Sequence, residues 1–172
     1  MREINLEKDI AVLKELNVGE WISISGVIYA ARDQACKRLS EILIKGFNPP
    51  ITLSNSLIYH TGPSPINLCG VCSAGPTTSV RMDPFVEILL SCGVIGFIGK
   101  GKRSKEIIEH FKKYKGIYLV TVGGAGAYLG SRIEKIQIVA FEDLGPEAVY
   151  YLEVKDFPAM VAIDSKGRSF WN

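Results

Sequence analysis

The sequence predicts an α/β domain with a mixed sheet, and three observations carry that expectation. The middle of the chain alternates β-rich apolar runs with amphipathic stretches, which is how strand–helix–strand units read. Both ends carry consecutive strand-like runs without an intervening helix, so antiparallel neighbours are expected beside the parallel ones. The third is size: 172 residues, 47% apolar and 22% charged, suit a single folded domain spanning 1–172. A chain of this length buries enough surface to need no disulfide or metal staple.

Taken in order, residues 7–16 place Ile10, Leu13 and Leu16 at helical spacing, and Asn17-Val-Gly19 supplies a stop. Trp21 to Tyr29 is β-rich, with partial alternation through Ile22, Ser23, Ile24 and Ser25. Asp33 to Lys45 predicts a helix with Leu39, Ile42 and Leu43 on one face, ended by Phe47-Asn-Pro-Pro50. Residues 51–82 are rich in Ser, Thr, Pro and Gly and predict short strands joined by ordered turns. A helix starts at Asp83-Pro84, where Asp suits the cap and Pro the first turn, and ends at Cys92-Gly93. Val94–Ile98 predicts a buried strand and Lys102–Lys113 a helix with Ile107, Ile108 and Phe111 inward. A strand (Ile117–Val122), a Gly-rich turn, a short helix and a strand (Lys135–Phe141) follow. Ala148–Val154 and Ala159–Asp164 predict two closing strands.

Several function classes are disfavoured at this level. Twenty Lys and Arg against eighteen Asp and Glu give a formal charge of +2, where a dedicated nucleic-acid binder is clearly basic. The longest uncharged apolar stretch, Ile88–Ile98, is short of the roughly 18–20 residues of a membrane span. The opening Met1-Arg-Glu-Ile-Asn-Leu-Glu-Lys-Asp9 is too charged for a signal peptide, so the expected location is the cytoplasm. There Cys36, Cys69, Cys72 and Cys92 are expected as thiols. Cys69-Gly-Val-Cys72 has metal-ligand spacing, but no second CxxC or paired His completes a zinc site, and a half-buried thiol pair is the default.

Four segments could carry chemistry. Gly75-Pro-Thr-Thr-Ser-Val-Arg-Met-Asp83 sets hydroxyls and turn amides beside Arg81, an arrangement suited to a carboxylate or phosphate; a helix cap with a surface arginine is the plainer alternative. Arg32 and Asp33 follow a strand and open a helix, where α/β sheets bind ligands, or where Asp33 merely caps. Gly99-Lys-Gly101 leaves Lys100 exposed at a strand end. The basic run after it, Lys100 to Lys115, reads as a solvated amphipathic helix more readily than as a nucleic-acid surface. Gly123 to Gly130 imitates a dinucleotide fingerprint with Glu142 at about the expected distance, but its GxGxxxG spacing and short crossover favour close backbone packing.

These segments in this order resemble a known family. Ala31-Arg-Asp33, Gly62-Pro63, Gly75-Pro-Thr-Thr-Ser79, Arg81-Met-Asp83, Gly99-Lys-Gly101, Gly123-Gly124 and Asp156-Phe-Pro-Ala159 are similar to the β-subunit, or C-terminal domain, of class I iron–sulfur fumarate hydratases and L-tartrate dehydratases. The resemblance runs from Gly19 to Gly167 and implies a swivelling β/β/α fold. It implies half an enzyme: a hydro-lyase interconverting (S)-malate and fumarate, whose [4Fe–4S] cluster is carried by a partner α-subunit, in a hetero-oligomer such as α2β2. Carried over by motif, Arg32, Arg81 and Lys100 bind the C4 dicarboxylate, and Thr77 matches the threonine proposed to take the proton. Converging cations suit a doubly charged substrate whose transition state carries more charge. A threonine hydroxyl is a poor base unless its pKa is lowered, so Thr77 is a binding residue first. Two positions depart from the family: Cys36 replaces the usual His, and His60 the common Tyr. L-tartrate dehydratase is the rival within the class. A non-catalytic dicarboxylate-binding regulatory module is the rival from outside it.

Overall fold

A computed structural model describes residues 1–66 and 72–171; Cys69 of the CxxC pair lies outside them. Among the described residues the chain forms a seven-stranded mixed sheet with helices packed on one of its faces. The strands are β1 (Arg2–Asn5), β2 (Trp21–Ala30), β3 (Leu57–Tyr59), β4 (Gly96–Gly99), β5 (Ile117–Val120), β6 (Ile133–Ala140) and β7 (Val149–Ile163). The α-helices are α1 (Asp33–Ile44), α2 (Asp83–Ser91), α3 (Lys105–Tyr114) and the short α4 (Gly126–Gly130).

β1 to β5 run parallel to one another, while β7 is antiparallel to β5, β6 and β2. Because β7 pairs with both β5 and β2, the pairing β2–β3–β4–β5–β7 returns to β2 and closes a ring. Alternate side chains then face opposite sides. Leu57, Tyr59, Ile98, Leu119 and Phe157 fill the interior with Ile22, Ile24 and Ile28. Their neighbours Ile58, Phe97 and Tyr118 point outward under α1, α2 and α3, against Leu39, Val86, Leu89 and Phe111. Each fully buried Leu, Ile or Phe contributes roughly 1.5–3 kcal/mol, so both sides of the sheet contribute to stability.

Five expectations are corrected. The helix over 7–16 is a 3-10 helix over Ile10–Glu15. Asn5 ends β1 and accepts from the amides of Glu7, Lys8 and Asp9, so those residues form a turn instead of a first helical turn. Ala148–Val154 and Ala159–Asp164 belong to one strand, β7, bent at the polar Lys155-Asp156, where Asp156 takes a φ of 51° and the register against β2 shifts. Among their described positions, residues 51–82 hold a single three-residue strand and a 3-10 turn over Ser79–Met82; the others are loop. α3 begins at Lys105 instead of Lys102, because Asp83 accepts from the Ser104 amide and caps it there. Glu142–Glu147, which the sequence left without an element, is a 3-10 segment. No helix among the described residues is long and apolar enough to cross a membrane.

Candidate active site

The loops leaving the C-terminal ends of β2, β3, β4 and β5 gather at one edge of the parallel strands, the place where open α/β sheets bind ligands. Arg32 follows β2, Thr61-Gly-Pro63 follows β3, Lys100 follows β4 and Thr121-Val-Gly-Gly124 follows β5. The segment Thr77–Arg81 returns to the same edge and joins two of these loops. The Thr77 amide donates to the carbonyl of His60 (2.7 Å), and the Lys100 amide to the carbonyl of Thr77 (3.3 Å). The Ser79 amide donates to the carbonyl of Lys100 (3.0 Å), so Thr78 and Lys100 pair as an isolated parallel bridge.

The side chains add a second set of ties. Asp33 Oδ2 accepts from Arg32 Nε (3.3 Å) and from Arg81 Nη2 (3.1 Å), drawing two of the three predicted cations onto one carboxylate. Glu147 Oε1 lies 3.4 Å from Arg32 Nε and accepts from the Gln34 amide, bringing the 3-10 segment before β7 to the same place. Nothing local in the sequence pointed to Glu147, which is 115 positions from Arg32 along the chain (147 − 32). Gly62 leaves room for the guanidinium: a Cβ there would stand 3.2 Å from Arg32 Nη1 and 2.9 Å from the Pro146 carbonyl oxygen. Lys100 runs beside Gly123, and no carboxylate among the described residues is within ion-pair distance of it. All four predicted residues therefore occupy one edge. Arg32 and Arg81 meet through Asp33, and Thr77 and Lys100 meet through the backbone.

Beneath this edge the polar groups are dry. His60 is fully buried, its Nδ1 2.8 Å from Ser79 Oγ and its ring tilted against that of Phe97. Burial, with the Arg103 charge second, holds its pKa well below the ordinary imidazole value. His60 is thus a neutral anchor for the Thr77–Ser79 loop. Ser79 in turn packs against Gly99, where a Cβ would fall 1.9 Å from its Oγ; only glycine fits. Cys36 is buried in α1, and burial first and the Asp33 charge second push its thiol up to about 12. It is an inert packing group.

The dinucleotide alternative loses ground. The Val122–Gly130 turn is not part of a parallel crossover, since among the described residues β6 pairs only with β7, in antiparallel sense. Gly126 and Gly130 serve close packing, as a Cβ on Gly130 would lie 1.8 Å from the Cys72 carbonyl oxygen. Of the segments that carry the family resemblance, Asp156-Phe-Pro-Ala159 lies within β7, away from the strand ends, with Phe157 packed edge-on against Tyr59 in the ring interior.

Comparison with known proteins gives the family. The family model described as fumarase C-terminus matches residues 1–172, the whole chain. The chain belongs to the fumarase C-terminal family. This fumarase C-terminal domain is 40% identical over 172 residues to a Methanocaldococcus jannaschii protein named as an L(+)-tartrate dehydratase subunit beta, covering 96% of the chain and 87% of that relative. It is 39% identical over 176 residues to fumarate hydratase 1 of Leishmania major, covering 98% of the chain and 32% of the relative. Against the anaerobic class I fumarate hydratase of Escherichia coli the identity is 35%, over 96% of the chain and 31% of the relative. The domain thus nearly fills the first relative and spans about a third of the fumarate hydratases.

Proposed function

We propose that this chain is the β-unit of a [4Fe–4S]-dependent hydro-lyase that interconverts (S)-malate and fumarate, acting with a cluster-bearing α-subunit in a hetero-oligomer such as α2β2. One observation carries the proposal: Arg32, Arg81 and Lys100 stand around the Thr77 loop at the strand ends of a fumarase C-terminal domain. A C4 dicarboxylate brings two charges, and removal of a proton next to a carboxylate adds more. Cations held in place before the reaction stabilise that charge without reorganising.

The roles follow from the surroundings of each side chain. Arg32 and Arg81 present planar forks suited to paired hydrogen bonds with a carboxylate. Both rest on Asp33, and both stay partly exposed, at 31% and 48% of the side chain, so a substrate carboxylate can reach them. Lys100 adds a point charge from the far side of the Thr77 loop. Thr77 binds first. Its hydroxyl takes a proton only as far as Arg81, Lys100 and the turn amides lower its pKa. The domain, 1–172, is assigned to the swivelling β/β/α class that the resemblance implies.

The described cysteines do not fit a cluster. Cys36 is buried with a thiol held protonated, Cys72 is buried with its pKa raised by that burial, and Cys92 is on α2's C-terminal cap. The proposal therefore assigns the cluster, and the Lewis-acid chemistry it supplies to a leaving hydroxide, to the partner. The residues of this chain bind, orient and counter charge.

The test is anaerobic co-expression with the partner and a malate-to-fumarate absorbance assay. Fumarate formation that falls in the Arg81→Ala variant supports the proposal. A chain that purifies alone and shows no hydro-lyase activity with any cluster-bearing partner overturns it. The 40% identity to a protein named for tartrate dehydratase favours a second reading, L-tartrate dehydration by the same wall. A preference for L-tartrate over malate in the same assay would select it.

A further inference from the structure

Behind the candidate site lies a charged pair that the site residues do not include. Arg103 is fully buried, and its Nε donates to Asp83 Oδ1 at 2.5 Å. Asp83 Oδ2 accepts from the Ser104 amide at 3.0 Å. The guanidinium lies in a box of aromatic rings, 4.9 Å from the Tyr118 centroid and 5.9 Å from those of Phe97 and Phe111. Its Nη1 and Nη2 have no hydrogen-bond partner among the described residues. Burying a pair in this way is costly, and apolar side chains filling the same space are often as stable or more so. Stability alone is a weak reason for this arrangement.

Its place in the chain supplies a better one. Asp83 ends the Gly75–Asp83 motif, two residues after Arg81 and six after Thr77. Arg103 ends the Gly99–Arg103 segment, three residues after Lys100. The two segments touch at one end through the Thr78–Lys100 bridge and at the other through Asp83–Arg103. Tyr118 adds a third tie, donating from its hydroxyl to the Gly101 carbonyl at 2.9 Å. The bridge and the His60 contacts hold the Thr77–Ser79 part of the loop. The Asp83–Arg103 pair holds the other end, beyond Arg81.

We infer that Arg103 is a positioning residue: paired with Asp83, it fixes the Thr77–Arg81 loop against Lys100 and so sets the spacing of the cations that meet the dicarboxylate. The inference rests on the site proposed above. It makes Arg103 part of the specificity for a ligand with two carboxylates at a fixed separation, although Arg103 never touches that ligand.

The test is a set of variants in the co-expressed, assembled enzyme. Asp83→Asn combined with Arg103→Met removes both charges, so no buried charge is left alone, and thermal melting checks that the domain is intact. The expected result is a melting point near that of the parent, a raised KM for malate and kcat/KM lowered about 10- to 100-fold, as misplacement of a binding group causes. Lys100→Ala is then added to the parent and to the double variant. It costs much less in the double variant, because its charge is already out of place there. If the double variant does not fold, Arg103→Lys is put through the same Lys100 cycle.

A variant that melts and turns over like the parent, or a Lys100→Ala effect of the same size in both backgrounds, overturns the inference while leaving the site intact. If Lys100→Ala and Arg81→Ala are silent in the parent itself, the site proposal fails, and the inference falls with it.

Discussion

Two ion-pair groups flank the Thr77–Asp83 segment, and they differ chiefly in their access to water. On the open side Asp33 holds Arg32 and Arg81 at 3.3 and 3.1 Å, with side chains 29–48% exposed. On the closed side Asp83 holds Arg103, whose side chain is 0% exposed. Exposed pairs contribute only about 0–1 kcal/mol each, because water and salt compete for both partners. The open arginines can therefore turn from Asp33 to a substrate carboxylate at small cost. A buried pair has no such substitute; breaking it leaves a charge stranded in apolar surroundings. One group is built to exchange partners and the other to keep them.

The comparison can be broken most forcefully from the closed side. Asp83→Ala, which strands Arg103 among Phe97, Phe111 and Tyr118, is expected to cost about 3–5 kcal/mol in urea unfolding. A loss below about 1 kcal/mol would mean that the pair is solvated in solution. The next largest effect is catalytic. Lys100→Ala or Arg81→Ala is expected to remove about 2–4 kcal/mol of transition-state stabilisation, read as kcat/KM, with little change in unfolding.

A third expectation concerns pH and the neutral anchor. The folded pKa of His60 is depressed by burial, so below an unfolded imidazole pKa near 6.5 the unfolded chain takes up a proton that the folded one refuses. Stability is then complete above about pH 6.5 and falls by up to about 1.4 kcal/mol per pH unit as pH drops toward the folded value. His60→Asn, which keeps a polar partner for Ser79 Oγ, should flatten that slope between pH 6.5 and 5. An unchanged slope would show that His60 is not its source. Smallest is the open side: Asp33→Asn is expected to change unfolding by less than about 1 kcal/mol. A loss comparable to that of Asp83→Ala would erase the distinction between the two groups.

Local features of the fold were legible in the sequence. The span of α1 and the β-rich run of β2 follow from periodicity and branched residues near one another in the chain. α2 starts at Asp83-Pro84, but its N-cap is Met82, because the Asp83 carboxylate accepts from Arg103 and the Ser104 amide instead of capping its own helix. Ring closure was not legible, since the β2–β7 pairing joins residues more than a hundred positions apart and leaves no local trace. β7 read as two strands because Lys155-Asp156 looks like a turn; only its pairing with β2 shows it to be a bend within one strand.

The site divides in the same way. Arg32 after a strand, Arg81 beside a Ser/Thr turn and Lys100 between glycines stood out as residue types and Thr77 through the family resemblance, and the structure brings the four to one edge. Glu147 and the His60–Ser79 anchor are tertiary contacts and left no signal of their own. Arg103 was hidden by its neighbours: within a run that includes Lys100, Lys102 and Lys105, a basic residue reads as solvated, and only the aromatic faces of Phe97, Phe111 and Tyr118 reveal it as buried.

The most direct measurement is the malate-to-fumarate rate of the chain assembled anaerobically with its cluster-bearing partner, compared between the parent and Lys100→Ala. The account predicts fumarate formation by the parent and a fall in kcat/KM of about 30- to 1000-fold in the variant, at an unchanged iron content. An active assembly in which Lys100→Ala stays within a few-fold of the parent would contradict the claim that this edge is the cationic wall of the site.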